Sequence, residues 1–378
     1  MSPTQLRRVA TPFAWNKTEV NTVFTQGRPN IVRHRWLCLL VLVLIAAGAA
    51  AEDRVQFTLD TSEADAVLAI LNKRAAGQEP SAADWQKLFA SEPYQRLKKR
   101  EASMHRDFTD DDFKAFVLSD ALAKRAPSLQ RTLDSWKKSD LRHIADRILP
   151  YLPPDAKVKA SIYPVIKPKT NSFVFETDSN PAIFLYLDPE QSQSEFENIV
   201  AHESHHIGFS DANKKYEEQI KSLPENARKA AEWMGAFGEG LAVLAAAGSA
   251  DVHPLKDFNN DQRIRWDQDM KFVDQQLIQL NQFFLDIIHG GFAKPEVADH
   301  VAFTFFGYRG PWYTVGYLMG RTVEQHFGRA VLIQCMSDPR QLLAKYNEAA
   351  AKQNAAGNEK LPLWSDDVLQ AVGIPIKK

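Results

Sequence analysis

The sequence predicts an α+β protein, mostly helical, in which a small antiparallel sheet leads into a histidine-bearing helix and a helical lobe lies on the N-terminal side of both. Three observations predict it. Residues 61–150 carry apolar side chains three and four apart in successive stretches, the spacing that lines one face of a helix. Residues 158–187 switch to short runs rich in Val, Ile, Phe and Tyr with turn residues between them, the pattern of strands. Beyond residue 193 the helical spacing returns in longer stretches.

The chain has 378 residues, 44% hydrophobic and 25% charged. That composition is ordinary for a folded protein and the length allows one large domain or two small ones. A formal net charge of −1 leaves no broad basic field, which argues against nucleic acid as a partner. The charge is unevenly placed. Residues 1–35 hold Arg7, Arg8, Lys17, Arg28, Arg33 and Arg35 against Glu19, a net of +5, leaving −6 for the remainder (40 basic against 46 acidic). This basic segment runs into 16 uncharged residues, 36–51, short of the ~20 that span a bilayer as a helix. With Ala49-x-Ala51 before Glu52, residues 1–51 read as a signal peptide with a long basic n-region. The expected location is periplasmic or secreted, with membrane contact only through this segment if it stays uncleaved. Cleavage removes Cys38 and leaves Cys335 as the one cysteine, so no intramolecular disulfide is expected.

Residues 54–60 alternate apolar and polar like a short strand. Helices are predicted over 61–73, 81–89, 93–105, 109–123, 128–138 and 140–149, each opening near Ser, Thr, Asp or Pro. They make residues 52–150 a helical N-terminal lobe, and Pro150, Pro153 and Pro154 mark its boundary with a second domain over 151–378. Strands are predicted over 158–166, 172–176 and 182–187. Residues 183–187 are the candidate edge strand, able to hold an extended peptide by backbone hydrogen bonds.

The next helix contains His202-Glu203-Ser204-His205-His206. At ~3.6 residues per turn, His202 and His206 lie one above the other, so two imidazoles can share one ion. Glu203 sits ~100° round the helix, where it can touch a water at the ion without ligating it. Ser194 is expected to cap the start and Gly208 to end it. Two histidines leave a catalytic Zn2+ one protein ligand short. Asp211 falls one residue too early for the spacing His-Glu-x-x-His-x-x-Gly-x-x-His/Asp. Glu239 is the better candidate, on a helix predicted over 227–247. Glycines flank it, and Ala242, Ala245 and Ala246 form a small-residue stripe that lets a neighbouring helix come close. His205 and His253 are read as companions of the site or surface residues.

Downstream, residues 259–289 read as one long helix, with Ile264, Met270, Val273, Leu277, Leu280, Phe284, Ile287 and Ile288 on the buried side and Gly290-Gly291 as its stop. Residues 301–317 are densely aromatic, mostly for packing. Helices over 329–334, 338–355 and 365–372 complete the chain.

A His-Glu-x-x-His helix followed by one bearing Glu239-Gly240-Leu241-Ala242 resembles the gluzincin group of metallopeptidases. Together with Asp60-Thr61-Ser62-Glu63-Ala64 and Pro311-Trp312-Tyr313-Thr314-Val315-Gly316-Tyr317, these motifs make the mature chain look like a bacterial family of zinc-dependent peptidases catalogued as a domain of unknown function. The resemblance implies a zincin-like domain, Zn2+ held by His202, His206 and Glu239, and a peptide or protein substrate. It also implies Glu203 as general base and then acid, and Tyr313, in a Tyr-x-x-Gly context, as oxyanion donor with Tyr317 as its substitute. The Gly-x-Met-Glu-Asn signature of one gluzincin aminopeptidase family is missing, which weakens an aminopeptidase reading. The rival reading is a non-catalytic exported peptide-binding or structural-metal protein on the same scaffold, against which an intact Glu203 argues.

Overall fold

Four strands form one sheet in the order β1 (Val55–Leu59), β2 (Val158–Val165), β4 (Ala182–Tyr186), β3 (Phe173–Phe175). The computed structural model describes residues 54–177, 179–357 and 360–376, so the expected signal peptide lies outside the described residues. Among those described, no helix is long and apolar enough to cross a membrane. β1 is parallel to β2, with Val55 opposite Val158, and β2 is parallel to β4, with Ser161 opposite Ala182. Only β3 and β4 are antiparallel, with Phe173 opposite Phe184. The sheet is thus mixed, where the sequence suggested an antiparallel one. The connections explain it. Parallel neighbours need a long crossover, and the whole helical stretch between β1 and β2 supplies one. Residues 166–172 carry β3 past the position beside β2, and β4 returns to fill it.

The crossover contains α1 (Ser62–Ala75), α2 (Ala82–Ala90), α3 (Glu92–Ser103), α4 (Asp110–Val117), α5 (Asp120–Trp136) and α6 (Leu141–Ile148). The boundary between α4 and α5 falls earlier than the sequence suggested. The Ser119 hydroxyl accepts the Leu122 N–H at 3.3 Å and starts α5, which then runs through Pro127 at the loss of one backbone bond. One continuous hydrophobic core extends from Val55 to Ile374. Trp136 of α5 stacks on Phe196 at 4.6 Å between ring centroids, so the N-terminal helices pack directly against the histidine-bearing helix.

That helix is α7 (Gln193–Gly208), followed by α8 (Ser210–Ile220), α9 (Glu225–Met234) and α10 (Gly238–Ala247). The single helix expected over 227–247 is interrupted by a 3-10 turn, Gly235–Phe237. Gly235 and Gly238, poor helix formers, bracket it. Next come α11 (Asn260–Met270), α12 (Val273–Ile288), α13 (Pro295–Thr304), α14 (Pro311–Phe327), α15 (Arg329–Met336), α16 (Pro339–Ala355) and α17 (Asp366–Ala371). The long helix expected over 259–289 is therefore two. Its break at Lys271-Phe272 contains no proline or glycine, and Ile264, assigned to the buried side of a single helix, is exposed. α10 lies between α7 and α14. A Cβ at Gly240 would sit 2.2 Å from the Tyr317 nitrogen and 2.3 Å from the Tyr313 carbonyl oxygen, so α10 and α14 meet backbone to backbone.

Candidate metal centre

α7 is anchored at both ends and along one face. Ser192 is its N-cap, one position before the helix and two before the expected Ser194. The Ser192 hydroxyl accepts the Glu195 N–H at 3.2 Å and the Glu195 carboxylate accepts the Ser192 N–H at 2.7 Å, a reciprocal pair that satisfies two end donors. Gly208 does not stop the helix; it belongs to the last turn, where a Cβ would lie 2.4 Å from a Leu152 methyl. Phe196, Val200, Ala201 and Ile207 are buried. The Arg147 guanidinium pairs with Asp257 at 2.9 Å, and Asp257 also accepts from the Asn198 amide at 3.3 Å, one turn before His202.

With its apolar face held, α7 presents His202 and His206 on the other, and α10 brings Glu239 to them. The two Nε2 atoms are 3.1 Å apart, and Glu239 Oε2 lies 3.2 Å from His202 Nε2 and 3.5 Å from His206 Nε2. Zinc–ligand bonds of ~2.0–2.1 Å in a tetrahedron place neighbouring donors roughly 3.3 Å apart. The three atoms therefore outline one face of such a tetrahedron, leaving the fourth corner to a non-protein ligand. The charges fit as well. Burial opposes ionisation of Glu239, yet the two imidazoles outweigh it and hold the carboxyl far below the usual carboxylate range. Burial likewise disfavours a cationic His206, and Glu239 with Glu203 overcomes it, raising the imidazole pKa. The cluster draws positive charge to itself, and its residues fit a bound zinc ion.

Two cavities adjoin the donors. The larger, about 390 Å³, is lined by His202, Glu203 and Tyr313 along with Asn171, Ser172 and Arg309. The smaller, about 140 Å³, reaches His206, Glu239 and His205. Burial pushes the Glu203 carboxyl above its usual range against the pull of the two histidines. Tyr313 lies nearly parallel to His202, with ring centroids 6.3 Å apart and 16° between planes. Burial, followed by the neighbouring Glu239 and Glu203, raises its phenol, so it stays protonated and able to donate.

Other candidates fall elsewhere. Tyr317 is buried with its ring edge-on to Trp266 at 5.4 Å and lines neither cavity. Asp211 is exposed, 3.7 Å from Lys214, and His253 pairs with Asp267 at 3.0 Å; neither joins the donor cluster. His205 is buried against Phe209, and both its nitrogens lack a hydrogen-bond partner. The strand expected to present an open edge over 183–187 is interior, since β4 pairs with β2 on one side and β3 on the other. Among the described residues the open edge nearest α7 belongs to β3, and Asn171 and Ser172 just before it line the larger cavity. The sequence reading missed Arg309. Nothing in the local pattern set it apart, because its position in the cavity depends on a left-handed backbone (φ +56°) in the loop before α14.

Two histidines one turn apart on α7, a glutamate between them and a carboxylate from α10, the third helix further on, form a cluster within an α+β fold that could hold one metal ion. The chain belongs to the family described as "Putative zinc dependent peptidase" (DUF5700), whose model matches residues 85–355. The matched span includes α7, α10 and α14. No curated protein and no solved structure gives a significant match.

Proposed function

We propose that the protein is a peptidase that hydrolyses peptide bonds with the help of zinc held by His202, His206 and Glu239, and that it is exported by residues 1–51. The observation that carries the reading is that Glu203 and Tyr313 line one 390 Å³ cavity with His202, a member of the donor triangle. When bound, zinc supplies the Lewis acidity that brings the pKa of a water towards ~7 and polarises a carbonyl. The Glu203 carboxylate takes the proton from the attacking water and passes it to the leaving amine nitrogen. The Tyr313 hydroxyl donates to the carbonyl oxygen as negative charge gathers there.

The test is a peptide-library digest read by mass spectrometry, with zinc, with chelator, and with Glu203→Gln. Cleavage should need zinc. The variant should hold zinc as tightly as the parent while kcat falls ~10²–10⁴-fold, the usual worth of a general base. Zinc binding without cleavage of any peptide would instead favour the structural-metal reading.

A further inference from the structure

Arg309 lines the metal cavity and is not used by the chemistry above. Its Nη1 is buried with no hydrogen-bond partner. The guanidinium lies over the Phe258 ring at 4.4 Å and near the Tyr308 ring at 5.7 Å, so aromatic side chains help to fix its position. Its backbone is left-handed at φ +56°, a conformation that costs a residue with a Cβ and persists where surrounding structure enforces it. Gly310 and Pro311 follow, and the Gly310 N–H bonds the Phe306 carbonyl at 2.7 Å, which closes the loop directly onto α14 and Tyr313. A strained backbone and a half-buried guanidinium with one nitrogen left without a hydrogen-bond partner are both unfavourable for folding alone. They occur together at the wall of the reaction cavity, and a fixed guanidinium fork there matches the two oxygens of a carboxylate.

We infer that Arg309 is a substrate anchor that pairs with a carboxylate of the peptide, which sets the substrate class as carboxylate-bearing peptides. The carboxylate comes either from a free chain terminus or from an Asp or Glu side chain; the chemistry at Arg309 is the same. Asn171 and Ser172, on the segment leading into β3, line the same cavity as Arg309 and supply neutral polar groups beside the anchored end. The inference rests on the peptidase reading for its meaning, and its test is one of binding.

The Glu203→Gln protein, with and without zinc, is titrated by calorimetry with three peptides of equal length. One is an N-acetylated alanine peptide with a free C-terminus, one is its C-terminal amide, and one is that amide with a central glutamate. At least one carboxylate peptide should bind roughly 10–100-fold more tightly than the neutral amide, the range for charge-assisted pairing. Adding Arg309→Gln should abolish that preference while leaving the neutral peptide within about threefold. Arg309→Lys keeps the charge without the fork and should restore part of it. If the glutamine variant fails to fold, the lysine variant and the parent carry the test. Equal binding of all three peptides by the parent, no binding of either carboxylate peptide, or a preference that survives Arg309→Gln overturns the anchor. Failure of the peptidase reading shows up separately, as absence of cleavage by the zinc-loaded parent.

Discussion

Gly240→Ala tests whether the metal centre depends on how closely α10 approaches α14. The added Cβ would lie 2.2 Å from the Tyr317 nitrogen, 2.3 Å from the Tyr313 carbonyl oxygen and 2.5 Å from the Gly316 carbonyl carbon. All three are backbone atoms, so no change of rotamer relieves them. Carbon rests against such atoms at about 3.5 Å, and the helices must part by roughly 1 Å. Alanine is favoured over glycine within a helix by ~1 kcal/mol, and overpacking costs ~1–3 kcal/mol where the site can adjust. Here it adjusts only by moving whole helices, so a net loss of about 2 kcal/mol or more is expected. The site feels the movement directly. α10 is held between α7 and α14, and Glu239 precedes Gly240, so a shift of α10 either carries Glu239 out of reach of the histidines or leaves Tyr313 behind. A misplacement of about 1 Å is worth on the order of 100-fold in turnover. Urea unfolding of the metal-free protein, zinc competition against a chromophoric chelator and peptide turnover measure the three effects. Gly238→Ala is the control, because a Cβ there meets nothing within 4 Å, and it should be neutral or stabilising. An alanine at 240 that leaves unfolding midpoint, zinc affinity and turnover unchanged would refute the argument.

Two further predictions concern the ligand set and the lobe beside it. Glu239→Gln should weaken zinc by more than about 100-fold, since even the outer partners of ligands are worth 10–100-fold; the parent should also gain about 4 kcal/mol of stability at free zinc 1,000 times its Kd, and the variant should gain far less at the same zinc. Glu63 is fully buried; one carboxyl oxygen accepts the Ile166 N–H at 3.0 Å and the other has no partner. Burial raises its pKa from 4.5 to about 8, opposed by the Ile166 bond and the charge of Lys167. The folded state thus binds a proton that the unfolded state releases between pH 4.5 and about 8, so the stabilisation is complete below that window and is lost as pH rises through it. Its full size is of order 3–5 kcal/mol. Glu63→Gln should remove that slope from urea unfolding measured between pH 5 and 8.5, and a slope that persists unchanged would assign it to other groups.

How much of this was legible beforehand follows from which forces act locally. The His202–His206 pair is a consequence of helical pitch, and the strands at 158, 173 and 182 of β-branched and aromatic runs, so both could be read from neighbouring residues. Glu239 was legible at one remove, because glycines on both sides of a carboxylate announce a close helix crossing. Even so, the partner that comes closest to Gly240 is α14, and nothing near residue 240 says so. Strand order was not legible, since it depends on where a crossover of nearly a hundred residues returns, and the break at Lys271-Phe272 carries no breaker residue. Arg309 lies furthest from local reading. A single arginine after a tyrosine has no pattern, and its significance comes from three separate parts of the chain: Phe258 before α11, the left-handed turn before α14, and the metal helix across the cavity. Local rules therefore recover the histidine pair and the glutamate that meet in the donor cluster, while the group proposed to choose the substrate is set by the tertiary fold. Substrate preference should accordingly change with substitutions in the Phe305–Gly310 loop that leave His202, His206 and Glu239 in place.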